Sequence, residues 1–252
     1  MKLQEVAVER QGSLAGQTIV VIGGSAGIGL ETARKARAEG AGIILTGRNV
    51  DALHRAAGEL GAQSTAAFDA TDPAALDGFF KGLPNVIDHV MVTAGRPYYA
   101  PLADLNRDLA HREFDEHQWL AIAVAQHAVG RVRPGGTLLF MGGTGGRARG
   151  PGLSLVAAGT AALPALIANL AVEIAPIRVN VIAAGFVDTS LSAELLGDQL
   201  DARRERLRAT LPIGRVVGPA DIAALAVHLM TNTAITGATY DIDGGQQLIA
   251  KA

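Results

Sequence analysis

The segment VVIGGSAGIGL, residues 20–30, constrains this chain more than any other. An apolar run ends in glycines at 23, 27 and 29 and then passes into an alanine-rich stretch of helical period. Glycines at that spacing let the backbone turn sharply and expose its N–H groups. They also bring the following helix close to the sheet with its N-terminus aimed at an anion. A turn of this kind belongs to a βα unit, so the rest of the chain is expected to repeat that unit.

The repeat is visible. Short β-rich runs occur at 18–22, 42–46, 64–68, 86–93, 136–141, 177–182 and 238–242, several of them apolar almost throughout. Strands covered on both faces read in this way. Segments of helical period lie between them at 27–39, 73–81, 113–131, 152–174 and 219–230, with Gly40 as a stop and Pro73 and Pro219 as starts. This pattern predicts a single Rossmann-type, doubly wound α/β domain over 1–252, a seven-stranded parallel sheet with helices on both faces. No break in composition marks a second domain. The stretch 190–212, with the charged DQLDARRERLRAT, reads either as a solvated connecting helix or as a substrate lid.

Composition narrows the function classes. With 252 residues and 49% apolar content a sizeable core is available. A net charge of -2 gives no broad basic field for nucleic acid or anionic lipid. The absence of cysteine excludes disulfides, thiolate metal sites and a cysteine nucleophile, and fits a reducing compartment. No His/Asp/Glu cluster has metal-ligand spacing. The start, MKLQEVAVERQG, is too polar for a signal peptide, and the apolar region 161–187 is interrupted by Pro164, Asn169, Glu173, Pro176, Arg178 and Asn180. The expectation is a cytoplasmic protein without a membrane span and with a small-molecule substrate.

The spacing Gly-x-x-x-Gly-x-Gly resembles the short-chain dehydrogenase/reductase family, and the likeness continues along the chain. Asp69 in FDATD resembles the aspartate that contacts adenine, with Ala70 beside it, and VTAG at 92–95 resembles the Asn-Asn-Ala-Gly motif. The segment IRVNVIAAGFVDTSL is similar to the family's Pro-Gly-x-x-x-Thr stretch, and TGATYDIDGGQ to its closing strand. The resemblance implies a dinucleotide held by Gly23, Ser25, Ala26, Gly27, Ile28, Gly29, Asp69, Ala70, Ala94, Gly95, Gly185, Val187 and Thr189. It also implies a homo-dimer or homo-tetramer formed through helices near 113–131 and 152–174. The end of the second strand, LTGRN, puts Gly47 where NAD-selective members carry Asp, followed by Arg48. A 2′-phosphate needs a cation and is repelled by a carboxylate, which favours NADP(H) over NAD(H). Alternatively, Arg48 is a surface arginine on a turn.

Carbonyl-reducing members use an Asn-Ser-Tyr-Lys set, in which a tyrosine handles the proton and a lysine lowers its pKa. Aligned through AGTAAL, those four positions here read His117, Gly143, Val156 and Thr160. Losing a positioned general acid costs about 3–5 kcal/mol in the barrier. Two readings follow. One is an NADP(H)-dependent oxidoreductase with an atypical proton path on a carbonyl, alcohol or imine. Thr144, Ser154, Thr160, His117, Tyr98 and Tyr99 are its candidate donors, each with a simpler reading as a structural, packing or pocket-wall residue. The other is an NADP(H)-binding sensor or partner subunit without turnover.

Overall fold

The computed structural model describes residues 12–147 and 149–249; most of the polar N-terminal segment lies outside them. Seven parallel strands form one sheet in the order β3-β2-β1-β4-β5-β6-β7. They are β1 Thr18–Ile22, β2 Gly42–Gly47, β3 Ser64–Ala67, β4 Ile87–Val92, β5 Val132–Gly143, β6 Arg178–Ala184 and β7 Thr239–Ile242. Chain order reverses between β1 and β4, and a crevice opens there at the carboxyl ends of the strands.

Nine α-helices connect the strands among the described residues. They are α1 Gly27–Ala38, α2 Val50–Leu60, α3 Pro73–Gly82, α4 Arg107–Phe114, α5 Leu120–Ala128, α6 Ser154–Glu173, α7 Ser190–Leu196, α8 Leu200–Thr210 and α9 Pro219–Thr231. Successive strand residues feed opposite cores. Val20, Ile22, Val90 and Leu138 pack toward α3, α5 and α6, while Ile19, Val21, Met91 and Leu139 pack toward α1, α2 and α9. Both faces are therefore dry, which is why the strands read as apolar runs without alternation.

The helices differ from the sequence reading in three respects. The helix expected over 113–131 begins at Arg107, and a π turn at Asp115–Trp119 separates α4 from α5. Helix α2 was not among the segments named from the sequence; it is set by Asn49, whose side chain accepts from Ala52 N–H, and by Gly61 in the left-handed region. Finally, α6 runs through Pro164 for 20 residues, long and apolar enough by composition to cross a membrane despite its supposed interruptions. One face of α6 buries Val156, Leu163, Ile167 and Leu170 against the sheet. The other exposes Ala161, Ala165, Ala168 and Val172.

Candidate functional site

The glycine turn is built by contact. Gly23 has φ +93°, and a Cβ there would lie 2.6 Å from the Ala94 nitrogen; a Cβ on Gly29 would lie 2.3 Å from the Gly23 carbonyl oxygen. Gly23 and Gly24 donate to the Thr46 carbonyl, and Thr93 Oγ1 donates to the Gly23 carbonyl, so β1, β2 and β4 all fix the turn. No side chain caps α1, and no acidic residue stands in its first turn. Its leading N–H groups, on Gly27, Ile28 and Gly29 behind Ser25 and Ala26, remain available to an anion. Thr189 closes the opposite side, its Cβ 3.7 Å from where a Gly27 Cβ would stand.

At the end of β2, a Cβ on Gly47 would come 2.8 Å from Ser25 Oγ, so a side chain there would displace that hydroxyl. Arg48 is exposed, and no partner among the described residues holds its guanidinium. Asp69 is already engaged, accepting from Thr71 through Oδ1 and from Arg112 through Oδ2 at 2.8 Å. Burial disfavours its charge, yet those bonds outweigh burial and hold the carboxyl at about 2. Ala70 is buried beside it. Gly185 sits at the end of β6 under the tail; a Cβ there would meet Asp243 Cβ at 2.6 Å, and Gln246 Oε1 accepts from Phe186 N–H. Val187 bridges to Val217.

Beyond this cradle lies a cavity of about 1610 Å³, bordered by Ile28, Ala94, Gly95, Gly185, Val187 and Thr189 on the cradle side. His117, Gly143, Val156 and Thr160 also line it, so the fold gathers all four positions picked out by the sequence register. Val156 and Thr160 pack onto the turn after β5. A Cβ on Gly143 would come 3.3 Å from Thr160 Cγ2, and one on Gly145 would come 3.2 Å from Val156 Cγ1. The Thr160 hydroxyl donates to the Val156 carbonyl at 2.7 Å, and its proton is spent within the helix. His117 lies in the π turn with Nδ1 on the Glu113 carbonyl at 2.8 Å. A carbonyl only accepts, so Nδ1 carries the proton and Nε2 is left as an acceptor beside Gly95.

The remaining donors separate. Thr144, Tyr98 and Tyr99 border the cavity, although Tyr98 Oη accepts from Asn106 N–H. Ser154 is a correction: it starts α6 with its side chain exposed, outside the cavity lining. The sequence reading also missed Glu113. It is buried on the cavity wall, and one carboxylate oxygen accepts from Tyr98 N–H at 3.3 Å. Desolvation, aided by nearby Glu116 and opposed by the Tyr98 bond, raises it from 4.5 to about 7. It lies in the last turn of α4, four residues before His117, so its i, i+4 spacing to that candidate is the signal that could have found it, whereas its burial leaves no local pattern. The stretch 190–212 resolves as α7 and α8, and both contribute residues to the cavity wall.

A family model described as enoyl-(acyl carrier protein) reductase matches residues 23–247. The chain belongs to the short-chain dehydrogenase/reductase family. Dehydrogenase/reductase SDR family member 4 from Sus scrofa is 27% identical over 259 residues, covering 97% of this chain and 92% of that one. The structure of a reductase/Diels-Alderase, MalC, from Malbranchea aurantiaca superposes with a TM-score of 0.87 at 26% identity, covering 95% of this chain and 99% of that one. A small-chain dehydrogenase solved in complex with NADPH is 28% identical with a TM-score of 0.79, covering 92% and 99%. Short-chain dehydrogenase/reductase membership thus accounts for the sheet order, the glycine turn and the position of the cavity.

Proposed function

We propose that this short-chain dehydrogenase/reductase is an NADPH-dependent reductase acting on a small substrate whose proton does not come from a tyrosine–lysine pair. The observation that carries the reading is the juxtaposition of a glycine cradle in which Gly23 and Gly29 admit no Cβ with a cavity whose facing wall is Val156 and Thr160, packed onto Gly143–Gly145. The residues fit the cofactor. The uncapped start of α1 would take the diphosphate, Arg48 the 2′-phosphate, and Asp69 with Ala70 the adenine. Ala94 and Gly95 would border the ribose, and Gly185, Val187 and Thr189 the carboxamide. When bound, the reduced nicotinamide supplies a hydride. The NADPH complex of a relative supports the choice of dinucleotide.

Two features of the wall bear on the proton. An apolar Val156 suits an iminium acceptor, which arrives already protonated and yields a neutral amine with no alkoxide to quench. For an acceptor that does need a proton, Glu113 holds one near neutral pH. Its Oε2 is taken by Tyr98 N–H, which leaves Oε1 to carry it. NADPH and NADH titrations followed by deuteride transfer from labelled NADPH test the reading. Cyclic imines should accept the label; transfer to ketones alone would overturn the imine assignment, and binding without any transfer would leave a sensor or partner subunit. We also place a homo-oligomer contact on the exposed alanine face of α6 next to Trp119, itself 54% exposed.

A further inference from the structure

Five arginines reach the cavity wall on its substrate side, and most of the basic charge there is already spoken for. Arg96 pairs with Glu194 and Arg147 with Asp241, while Arg149 donates to the Gly146 carbonyl. Arg203 and Arg206 on α8 differ. One turn apart on a single face, both line the cavity, and neither has a carboxylate or carbonyl partner among the described residues. Their neighbour Arg204 points the other way, where Asp188 and Asp201 hold it at 2.8 and 2.9 Å. Asp188 and Asp201 are therefore paired with Arg204 rather than with Arg203 or Arg206.

Arg203 is half-buried, its guanidinium carbon 5.8 Å from the centre of the Phe186 ring. A cation over an aromatic face is attracted by the ring, and that contact holds the guanidinium in place without neutralising it. Burial together with the like charge of Arg206 pulls Arg203 below the ordinary arginine value, the signature of a desolvated cation lacking a counter-ion. Such a group is costly unless something pairs with it. Phe186 lies between Gly185 and Val187, so the cation stands at the end of the cavity assigned to the nicotinamide.

We propose that Arg203 and Arg206 form a recognition site for an acidic group of the substrate, a carboxylate or a phosphate, which enters beside Phe186 and is clamped by α8. This proposal rests on the cavity being the substrate site and narrows that substrate to an acid. The arginines act by binding and orientation, and the anion supplies the counter-ion that the fold withholds.

Calorimetric titration of phenylbutyrate, phenyl phosphate and neutral phenylbutyramide into NADPH-saturated and NADPH-free protein tests it. At least one anion should bind about tenfold or more tightly than the amide, and the tighter of the two identifies the acidic group. Arg203→Met and Arg206→Met should each remove most of that advantage, while Arg203→Lys should keep part of it. Arg208→Met, which removes the same charge from the exposed side of α8, should leave it unchanged. Equal affinity for anion and amide, an equal loss in Arg208→Met, or displacement of the anion by NADPH would each overturn the proposal. Anion preference without hydride transfer would sink the reductase reading and leave this one standing; hydride transfer without anion preference would do the reverse.

Discussion

A methyl group at position 29 would stand 2.3 Å from the Gly23 carbonyl oxygen and 2.5 Å from Thr93 Oγ1, both fixed by β1 and β4. Neither can yield without moving the turn, so Gly29→Ala should cost about 1–3 kcal/mol of stability and abolish NADPH binding, read by urea unfolding and by titration. Residues 143, 156 and 160 form a coupled set. Because a side chain at Gly143 meets Thr160 Cγ2, Gly143→Ser alone is crowded, and the space opens only when Thr160 is replaced as well. The triple variant Gly143→Ser, Val156→Tyr, Thr160→Lys should therefore gain ketone reduction beyond the sum of the single changes. Steady-state kinetics on a ketone panel checks this, and strictly additive effects would contradict it.

Elements are tied down by a few buried polar groups. Arg178 opens β6 and is buried, yet it reaches across to the end of α9. There it donates to the carbonyls of Leu229, Met230, Asn232 and Ile235, and to Gly135 on β5. The Leu229, Met230 and Asn232 carbonyls are ones the C-terminus of α9 leaves without helical partners. Arg178→Met should expose them unpaired in an apolar setting and cost at least about 3 kcal/mol, measured as a fall in the urea midpoint at unchanged slope. The π turn between α4 and α5 works similarly. Glu113 at the end of α4 and His117 within the turn both line the cavity, and Glu116 is buried between them. Arg112 then ties Glu116 to Asp69, and Glu116 also accepts from Arg96 N–H. Glu113, Glu116 and His117 stand at i, i+3 and i+4, a spacing that shares a face in any helix; what the sequence could not show is that packing buries Glu113.

At the scale of the whole molecule, two buried titrating groups give stability opposite slopes with pH. Burial lowers His89 from 6.5 to about 3, so the fold binds fewer protons than the unfolded chain, and stability is lost as pH falls below 6.5. Glu113 is raised from 4.5 to about 7, so the fold binds more protons, and stability declines as pH rises from 4.5 through 7. From pH 4.5 to 6.5 the two slopes oppose one another, so urea midpoints there should change little; Glu113→Gln should remove its share and uncover the loss of stability on acidification that His89 causes. The proposed oligomer belongs to this scale too. Ala165→Arg puts charge on the exposed face of α6 without touching its buried face, and light scattering should then report a smaller assembly.

Local order was enough for much of this. The glycine spacing after an apolar strand, the unbroken apolar runs and the order of later motifs determine the parallel sheet, the cofactor turn and the family. Each depends on one residue's backbone freedom or on the burial of a short segment. The register AGTAAL likewise placed Val156 and Thr160 on one wall, because helix period carries a known alignment forward. Only the tertiary structure decided what faces that wall. Glu113 is acidic near neutrality because packing removes its water. Ser154 is turned away by the start of α6, and Arg203 is a bare cation because Asp188 and Asp201 lie on the far side of α8. Burial and pairing between segments far apart in sequence leave no local pattern, and they set the chemistry of this cavity.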